Sequence, residues 1–362
     1  MFFVAWLFLT ISTCMFGMEV ETTVPGLSDD AFREWIQSYQ VTEIPYDGGD
    51  FFALSLNEKT NFLLLGTEEG LLKMNCSNNV IEPTGVTSSI FKLATSDEGA
   101  YFITENRELF SWDQNSDKCT MVLPRSEEYS LNSLAYNIED KALWCEYEYD
   151  RVMKIDRETG KQHILPIKSV FAICDGPDNS LYVVGDHLQQ WHIGENKPSK
   201  ERSMYSNNCV SSIKCYPRTG ALYLATTKYI YQYDANLQPY PSIGYKNCFT
   251  IAFEHDYISK LLYTIFRERN GKNDNYSMHI FDPYNKNIGH MIPFGHMIPF
   301  GKGTNNISCD PRTSSFYFNG EKRLYMAKPK CSYLALINPS AYLIFKELLC
   351  INDVQAVKAD QA

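Results

Sequence analysis

The sequence contains no run of basic residues longer than two, and positive charge is its scarcer sign. It has 33 Lys and Arg residues against 43 Asp and Glu residues, which gives a formal net charge of −10 at pH 7. Proteins bind nucleic acids and anionic membranes through basic surfaces. The composition therefore argues against nucleic acid and against an anionic membrane as the partner.

The common sequence motifs of catalysis are also missing. There is no GxSxG nucleophile elbow, no HExxH zinc motif, no P-loop and no GxGxxG dinucleotide motif. NGKNDNYS, which begins at Asn270, is rich in oxygen ligands but lacks the spacing and the closing Glu of an EF-hand. His187 and His192 are five residues apart, so on a strand they point to opposite faces. These motifs predict no catalytic residue and no metal ligand.

Long apolar runs are absent except at the start of the chain. From Phe2 to Met18 no residue is charged and nearly all are apolar. An apolar core of about 12–15 residues followed by small residues is typical of a signal peptide, although no Lys or Arg stands near Met1. An uncleaved anchor is the alternative, but the run is at the short limit for a membrane span. We expect a secreted, extracellular protein with no stable membrane span.

Cysteine is plentiful, but no two cysteines form a CxxC pair. Of the 11 cysteines, Cys14 lies in the predicted signal peptide and ten remain. An even number of cysteines in an oxidising compartment predicts disulfides, and the missing CxxC gives no support to a zinc ribbon or a thioredoxin-like site. The pairing is open among the predicted disulfide-forming residues, which are Cys76, Cys119, Cys145, Cys174, Cys209, Cys215, Cys248, Cys309, Cys331 and Cys350.

Three N-x-S/T sequons occur in the chain. They begin at Asn75, Asn275 and Asn306. Together with a signal peptide they predict surface glycans at these three residues. At Asn75 the neighbouring Cys76 would compete with glycosylation if it formed a disulfide.

One unit recurs about every forty residues along the chain. CYPRTGALYL from Cys215 and CDPRTSSFYF from Cys309 share a Cys, a turn with Pro and an apolar-Tyr-apolar strand, and CDGPDNSLYV from Cys174 fits more loosely. A period near forty built from short strands is typical of a β-propeller blade. The anchor residues of the successive units are Leu63, Tyr101, Trp144, Tyr182, Tyr223, Tyr263 and Tyr317.

The internal layout of the unit predicts an all-β fold, a single β-propeller of four-stranded blades. In the third unit LNSLAYN, ALWCEY, RVMKID and QHILPI are four short strands separated by turns. Seven anchors favour seven blades, with six as the alternative. YQVTEIPY, from Tyr39, is predicted to supply the fourth strand of the last unit and to close the ring. The predicted regions are a signal peptide at 1–17, a lead-in at 18–38, the propeller at 39–336 and a C-terminal extension at 337–362.

The segment CDGPDNSLYVVGD resembles the unit of NHL-repeat propellers, and the YWTD and SMP-30/strictosidine-synthase-like propellers are similar. The resemblance implies the architecture. SMP-30-like propellers are calcium-dependent lactonases with Glu, Asn and Asp side chains at the central channel. The resemblance therefore implies calcium as a candidate cofactor, and the channel candidates are Asp97, Asn137, Asp175, Glu254 and Asp310. The alternative is that these residues stand there because a strand ends in a turn, and we favour it.

Two functions follow from these observations. The favoured one is a secreted, non-enzymatic module without a cofactor that binds an extracellular protein or small ligand, because propellers present wide faces of loops. The alternative is a calcium-dependent lactonase or esterase of the SMP-30/paraoxonase-like type. Neither the ligand nor the substrate can be named from the sequence.

The hexapeptide GHMIPF occurs twice in succession, at residues 289–294 and 295–300. In an extended chain His290 and His296 would lie about 20 Å apart, too far to share a metal ion. The alternative is a tight turn at Pro293-Phe294-Gly295, which would bring them closer. The gap between Tyr263 and Tyr317 exceeds the usual period, and the duplication accounts for six of the extra residues. We therefore interpret it as a tolerated insertion in the sixth unit.

Overall fold

The computed structural model describes residues 28–335 with gaps. The undescribed stretches inside that range are 58, 127–130, 132, 138–140, 147–150, 158, 166, 168–169, 178–179, 193–194, 196, 204–209, 217–219, 227–228, 241, 243–247, 257–260, 271–272, 282–288, 292–305, 321 and 334. The predicted signal peptide and C-terminal extension therefore lie outside the described residues. All the sheets belong to one unit, Arg33–Tyr333; the other unit, Met1–Phe32 with Leu334–Ala362, is described only at residues 28–32 and 335.

The repeating unit folds as a small antiparallel sheet, and seven such sheets form a seven-bladed β-propeller. The first four blades follow the chain in order. Blade I is β2 (Phe51–Asn57), β3 (Phe62–Thr67), β4 (Gly70–Asn75) and β5 (Val80–Pro83); blade II is β6 (Ile90–Ser96), β7 (Gly99–Thr104), β8 (Leu109–Asp113) and β9 (Lys118–Leu123); blade III is β10 (Leu134–Asn137), β11 (Ala142–Glu146), β12 (Val152–Asp156) and β13 (Gln162–Leu165); blade IV is β14 (Ala172–Asp175), β15 (Ser180–Val184), β16 (His187–His192) and β17 (Lys200–Ser203).

The last three blades complete the ring. Blade V is β18 (Val210–Tyr216), β19 (Ala221–Thr226) and β20 (Ile230–Tyr233); blade VI is β21 (Cys248–His255), β22 (Leu262–Asn270), β23 (Asn273–Phe281) and β24 (Gly289–Met291); blade VII is β25 (Ile307–Asp310), β26 (Ser315–Gly320), β27 (Arg323–Lys328) and β1 (Gln40–Ile44). In the described part of blade V the fourth position holds a single bridge between Tyr233 and Pro239. The strand β24 is the start of the first GHMIPF copy, and the second copy lies outside the described residues.

The second strands of the blades are rich in apolar residues because both of their faces are covered. All six residues of β7, β19 and β26 are buried. Tyr182, Tyr223 and Tyr263, which are predicted anchors, have no exposed surface. A strand buried on both faces needs a neighbouring sheet on each side, and this requirement makes a ring of sheets the stable arrangement.

The hydrophobic cores lie between blades. One cluster joins Trp144 of blade III to Leu181 and Trp191 of blade IV, and another joins Leu63 of blade I to Tyr317 of blade VII. Further clusters lie between blades I and II, II and III, IV and V, and V and VI. Burial of one large side chain in such an interface stabilises the fold by about 1.5–3 kcal/mol.

The ring is closed by a strand from the N-terminal side of the chain. The strand β1 pairs with β27 in antiparallel register, from Gln40 opposite Lys328 to Ile44 opposite Leu324. Just before β1, the buried Tyr39 donates a hydrogen bond from its hydroxyl to the carbonyl oxygen of Ser314 at 2.7 Å. The prediction that the YQVTEIPY segment closes the ring is therefore confirmed.

One helix precedes the closing strand. The helix α1 (Asp29–Gln37) begins after Ser28, whose Oγ accepts a hydrogen bond from the backbone N–H of Ala31 at 3.3 Å. Trp35 is buried and donates from Nε1 to the carbonyl oxygen of Cys331 at 2.9 Å. None of the helices in the described residues has the length and the apolar character that a membrane span requires.

The turn between the first and second strands uses the left-handed backbone conformation. Gly220 in blade V has φ of +66°, and Ser314, at the equivalent place in blade VII, has φ of +55°. A Cβ atom on Gly220 would approach the Cβ atom of Ala235 to 2.9 Å, so only glycine fits there without movement. The Oγ of Ser314 accepts a hydrogen bond from the N–H of Tyr333 at 2.9 Å.

We predict that Tyr39→Phe lowers the free energy of unfolding by about 1–2 kcal/mol, because it removes a buried hydrogen bond that holds the closing segment on blade VII. Thermal and urea unfolding followed by circular dichroism measure this change. Tyr240→Phe is the matched control, since Tyr240 is 50% exposed and its loss of a hydroxyl should leave the midpoint unchanged. Equal stability of the Tyr39 variant and the wild type would show that this contact does not contribute to closure.

Candidate functional site

The first strands of the seven blades form the inner wall of the ring. Each first strand contacts the first strands of the two neighbouring blades. The residues opposite the anchors therefore form one level of that wall. They are Ser55, Ala94, Ala135, Cys174, Lys214, Glu254 and Ser308.

This register corrects the anchor of blade I. Thr67 pairs with Phe51 across a bulge, as Thr104 does with Ile90 in blade II. Thr104 lies three residues after the anchor Tyr101, so the equivalent of Tyr101 is Leu64. The prediction of Leu63 is wrong by one residue, because two adjacent leucines in FLLLGT are both fully buried and the sequence does not distinguish them.

Polar side chains on the inner wall bond to the neighbouring blade. Asn57 of blade I donates from Nδ2 to the carbonyl oxygen of Ser96 in blade II at 2.8 Å. Asn137 of blade III donates in the same way to the carbonyl oxygen of Gly176 in blade IV, at 3.4 Å. Asn137, a predicted channel candidate, is thus 3% exposed and bridges two blades.

An ion pair joins blades V and VI at the anchor level. The Nζ of Lys214 lies 2.9 Å from Oε2 of Glu254, and the two side chains are 40% and 17% exposed. Burial lowers the pKa of Lys214, but the charge of Glu254 and the hydrogen bond to it outweigh burial and raise the pKa. Lys214 therefore stays protonated at neutral pH, and the carboxylate of Glu254 is its ion-pair partner.

The nearby thiols on the inner wall are protonated as well. Cys174 is 7% exposed, and burial raises its pKa well above the ordinary value. Burial also raises the pKa of Cys215, its neighbour on the first strand of blade V. Away from the inner wall, on the second strand of blade III, burial raises the pKa of Cys145 to about 12. Because a thiol attacks as the thiolate, these residues are unsuited to nucleophilic catalysis at neutral pH.

Asp310 is held within its own turn. Its Oδ1 accepts a hydrogen bond from Nε of Arg312 at 2.8 Å, and its Oδ2 accepts one from the hydroxyl of Thr313 at 3.1 Å. The guanidinium of Arg312 also bonds to Asn61 of blade I. Asp310 is 4% exposed, so its carboxylate joins two blades and is closed to solvent.

The five channel candidates stand at different levels of the wall. Glu254 lies at the anchor level, and Asp175 lies one residue after it in the sequence of its first strand. Asn137 and Asp310 lie two residues after the anchor level. Asp97 lies three residues after it, in the turn that follows β6. Within the described ranges no three His, Cys, Asp or Glu side chains are grouped so that they could hold a metal ion. The structure does not bring the candidates together, because the sequence repeat aligns strands but not their polar ends.

The predicted modification sites are only partly described. Asn75 ends β4, and its Oδ1 accepts a hydrogen bond from the N–H of Ser77 at 2.8 Å. Asn306 is partly exposed and donates from Nδ2 to the carbonyl oxygen of Phe52 at 2.8 Å. The side chain of Asn275 falls outside the described residues. Glycosylation at the three residues stays a prediction.

The described cysteines do not form the predicted disulfides with one another. Those with free thiols are Cys76, Cys119, Cys145, Cys174, Cys215 and Cys331. Cys309 is buried on β25. Cys209, Cys350 and the side chain of Cys248 lie outside the described residues. An even cysteine count does not require pairing, since buried cysteine also packs as a small apolar residue.

Three phenylalanines lie exposed at one equivalent position of the first strands. Phe52 and Phe91 are the extra residues of β-bulges in β2 and β6, and they are 41% and 37% exposed. Phe171 directly precedes β14, donates its N–H to the carbonyl oxygen of Val184 at 2.7 Å and is 57% exposed. All three stand three residues before the anchor level. A bulge turns a side chain out of the ladder, which explains the exposure of Phe52 and Phe91.

Exposed acids occupy one equivalent position in the same three blades. Glu68, Glu105 and Asp186 each stand four residues after the anchor of their blade, in the turn between the second and third strands. A buried threonine shapes this turn in blade I, where Thr67 Oγ1 donates to the carbonyl oxygen of Gly70 at 2.9 Å and accepts the N–H of Glu69 at 3.1 Å. All three acids are exposed.

These six residues define one surface, which we call the bulge face: Phe52, Phe91, Phe171, Glu68, Glu105 and Asp186. The phenylalanines begin the first strands at the same end of the blades as the turns that carry the acids. The prediction from sequence missed this surface. Its signal was present, because Phe52, Phe91 and Phe171 are separated by 39 and 80 residues, one and two periods of the repeat.

We predict that Lys214→Met destabilises the protein by about 1–3 kcal/mol, since it leaves the carboxylate of Glu254 largely buried and unpaired. Glu254→Gln should cost less, because Lys214 reaches solvent. Urea unfolding of both variants and of the double variant at pH 8 gives the coupling energy, which we expect to be about 1 kcal/mol.

The pH dependence supplies the control for this pair. Because the pKa of Lys214 is raised in the folded state, the contribution of the pair is present at neutral pH and is lost as pH rises above the ordinary range of lysine. Additive effects of the two single changes at pH 8 would contradict a stabilising pair.

Comparison with known proteins identifies the fold. No family model and no curated protein matches the sequence. Among solved structures, a chain of a mitotic checkpoint complex is similar at 14% identity and a TM-score of 0.62, with 80% of this chain and 90% of that chain covered. The β-propeller domain of Cps50 (Swd1) from Myceliophteria thermophila is similar at 12% identity and a TM-score of 0.64, with 79% of this chain and 99% of that domain covered. The NHL, YWTD and SMP-30-like resemblance is not confirmed beyond architecture, and the chain is a seven-bladed β-propeller.

Proposed function

We propose that this propeller is a secreted protein-binding module and that it binds its partner on the bulge face. The observation that carries the proposal is the exposure of Phe52, Phe91 and Phe171 at one equivalent position of three blades. Apolar side chains scattered over a surface need no explanation, but aromatic side chains gathered on one face are typical of binding sites.

The energetics of association support an aromatic docking surface. Phe and Tyr side chains bury much apolar area and lose few rotatable bonds on binding, so they recur among the residues that dominate interface energies. Tyr229 adds a ring in blade V, in the turn between the second and third strands and on the same side as the bulges, and it is 41% exposed. Each ring that becomes buried contributes about 1–3 kcal/mol to binding.

The inner wall of the ring favours a structural role over catalysis. Lys214 and Glu254 neutralise each other, Asp310 is bound by Arg312, and the thiol of Cys174 is protonated. Each of these groups is already used in a bond within or between blades, or is closed to solvent. No observation on the described residues favours the calcium-dependent hydrolase alternative.

Secretion is the second part of the proposal. It is based on the uncharged apolar segment from Phe2 to Met18 and on the sequons at Asn75, Asn275 and Asn306. The full chain expressed in a glycosylating cell line should appear in the medium, and an N-glycosidase should shift its mobility. Retention of an unglycosylated chain in the cytosol would contradict secretion and leave the protein-binding proposal to its own test.

We predict that the immobilised protein captures a specific partner from native fluid, and that the Phe52→Ser/Phe91→Ser/Phe171→Ser variant loses it. Mass spectrometry identifies the captured protein, and co-elution of the purified pair in gel filtration confirms a complex. The control is Val80→Ser/Met121→Ser/Ile164→Ser, which removes three residues that are 47%, 49% and 42% exposed on fourth strands. Failure to recover any specific partner, together with turnover of a lactone or ester panel, would overturn the proposal.

A further inference from the structure

We infer that the partner presents a basic polypeptide segment with apolar side chains, which lies across the bulge face; this inference rests on the proposed protein-binding function. The residues that carry it are Phe52 and Glu68 in blade I and Phe171 and Asp186 in blade IV. Each pair combines an exposed aromatic ring with a carboxylate that forms no ion pair among the described residues.

The carboxylates of the bulge face are exposed to solvent. Across the part of the chain that the structure describes, no ion pair involves Glu68, Glu105 or Asp186. Two exposed acids outside this face, Glu98 and Glu43, form ion pairs with Arg157 at 2.7 Å and with Arg323 at 2.8 Å. The three carboxylates therefore give the bulge face negative charge that a basic partner can offset.

Blade II shows how a cation occupies a ring on this face. The guanidinium carbon of Arg107 lies 4.4 Å from the centre of the Phe91 ring, and Nζ of Lys92 lies 5.2 Å from it. Arg107 is also fixed by a hydrogen bond from Nη1 to the carbonyl oxygen of Leu131 at 3.0 Å. A cation over an aromatic face is attracted by the ring quadrupole. The ring of Phe91 is thus already in contact with two basic side chains of the same protein.

The rings of blades I and IV have no such cation among the described residues. Phe52 and Phe171 are more exposed than Phe91, at 41% and 57% against 37%. His187, next to Asp186, is directed to Glu201 at 3.5 Å and does not neutralise the bulge face. A partner that supplied Lys or Arg to these two rings would repeat, between molecules, the contact that Arg107 makes within blade II.

The strand geometry places each carboxylate close to its ring. In blade I the N–H of Glu68 donates to the carbonyl oxygen of Asp50 at 3.0 Å, two residues before Phe52. In blade IV the N–H of Phe171 donates to the carbonyl oxygen of Val184, two residues before Asp186. From strand spacing and rise, each ring and its carboxylate lie within about 10 Å. One Lys or Arg side chain can therefore contact the ring and pair with the carboxylate.

The two sites determine how the partner segment lies. Blades I and IV are three steps apart in a ring of seven, which is as far apart as two blades can be. A segment that contacts both crosses the mouth of the central channel. Its apolar side chains then meet the exposed rings, and its charge offsets the carboxylates. An anionic lipid surface does not fit, since it would face unmatched acids.

The test is a selection of displayed random 12-residue peptides on the intact protein. We expect the enriched peptides to carry two or more Lys or Arg residues together with apolar side chains. Their affinity, measured by fluorescence anisotropy, should fall at least tenfold in Phe52→Ser/Phe171→Ser and in Glu68→Gln/Asp186→Asn. Raising the salt concentration should weaken binding to the wild type and have little effect on the second variant.

Matched controls separate the face from general surface effects. Val80→Ser/Ile164→Ser removes two similarly exposed apolar residues on fourth strands, and Glu43→Gln/Glu98→Gln removes two acids that are paired with Arg323 and Arg157 at 2.8 and 2.7 Å. Both controls should bind the selected peptides within about twofold of the wild type, because these residues are distant from the bulge face. Thermal melts confirm that every variant is folded.

Several outcomes would overturn the inference. They are enrichment of neutral or acidic peptides, no enrichment at all, equal binding by the bulge-face variants, or bulge-face binding to phosphatidylserine vesicles but not to phosphatidylcholine vesicles. Capture of a native partner that depends on Phe52, Phe91 and Phe171 while the peptide selection fails would leave the proposed function standing and reject only the basic segment. Failure of both the native capture and the peptide selection would reject the protein-binding function as well as the basic segment.

Discussion

Each blade of this propeller can be stable only between two other blades, and this requirement governs the rest of the structure. The second strands are apolar on both faces, so a single sheet would leave half of its buried surface in water. Seven sheets satisfy the requirement when the last meets the first. The pairing of β1 with β27 completes that contact. The interface between blades VII and I is therefore formed by residues from the first and the last part of the propeller sequence.

On the inner wall, polar side chains form hydrogen bonds between adjacent blades. Where first strands converge, the side chains of Asn57, Asn137 and Lys214 bond to the next blade. These contacts are separated by 39 or 40 residues in the sequence, because they join equivalent positions of adjacent units. Polar groups that look like a ligand site in the sequence are thereby used for assembly. The recognition surface that we propose uses instead positions where the ladder is interrupted and side chains are exposed.

The period of forty residues was sufficient to predict the blades, their number and the strand that closes the ring. It did not resolve the register in FLLLGT, because Leu63 and Leu64 are chemically identical and both buried. It also did not predict the candidate site. A bulge depends on how two strands pair, so the exposure of Phe52 and Phe91 follows from backbone geometry that composition does not encode. Likewise, whether the carboxylates of the channel candidates converge depends on how far along the inner wall each one lies.

The closing pair also determines how the ring responds to tension. Gln40 and Lys328 face each other at the end of the β1–β27 ladder from which the chain leaves in both directions. A pull on the two ends of the propeller therefore loads first the contacts of Trp35 and Ser38 with Cys331 and Lys330, and then the ladder one rung at a time, as a zipper does. A shearing load would instead be shared by all the rungs at once. The propeller is thus mechanically weakest at its seam, and a force applied through its ends opens blade VII before it disturbs the other six.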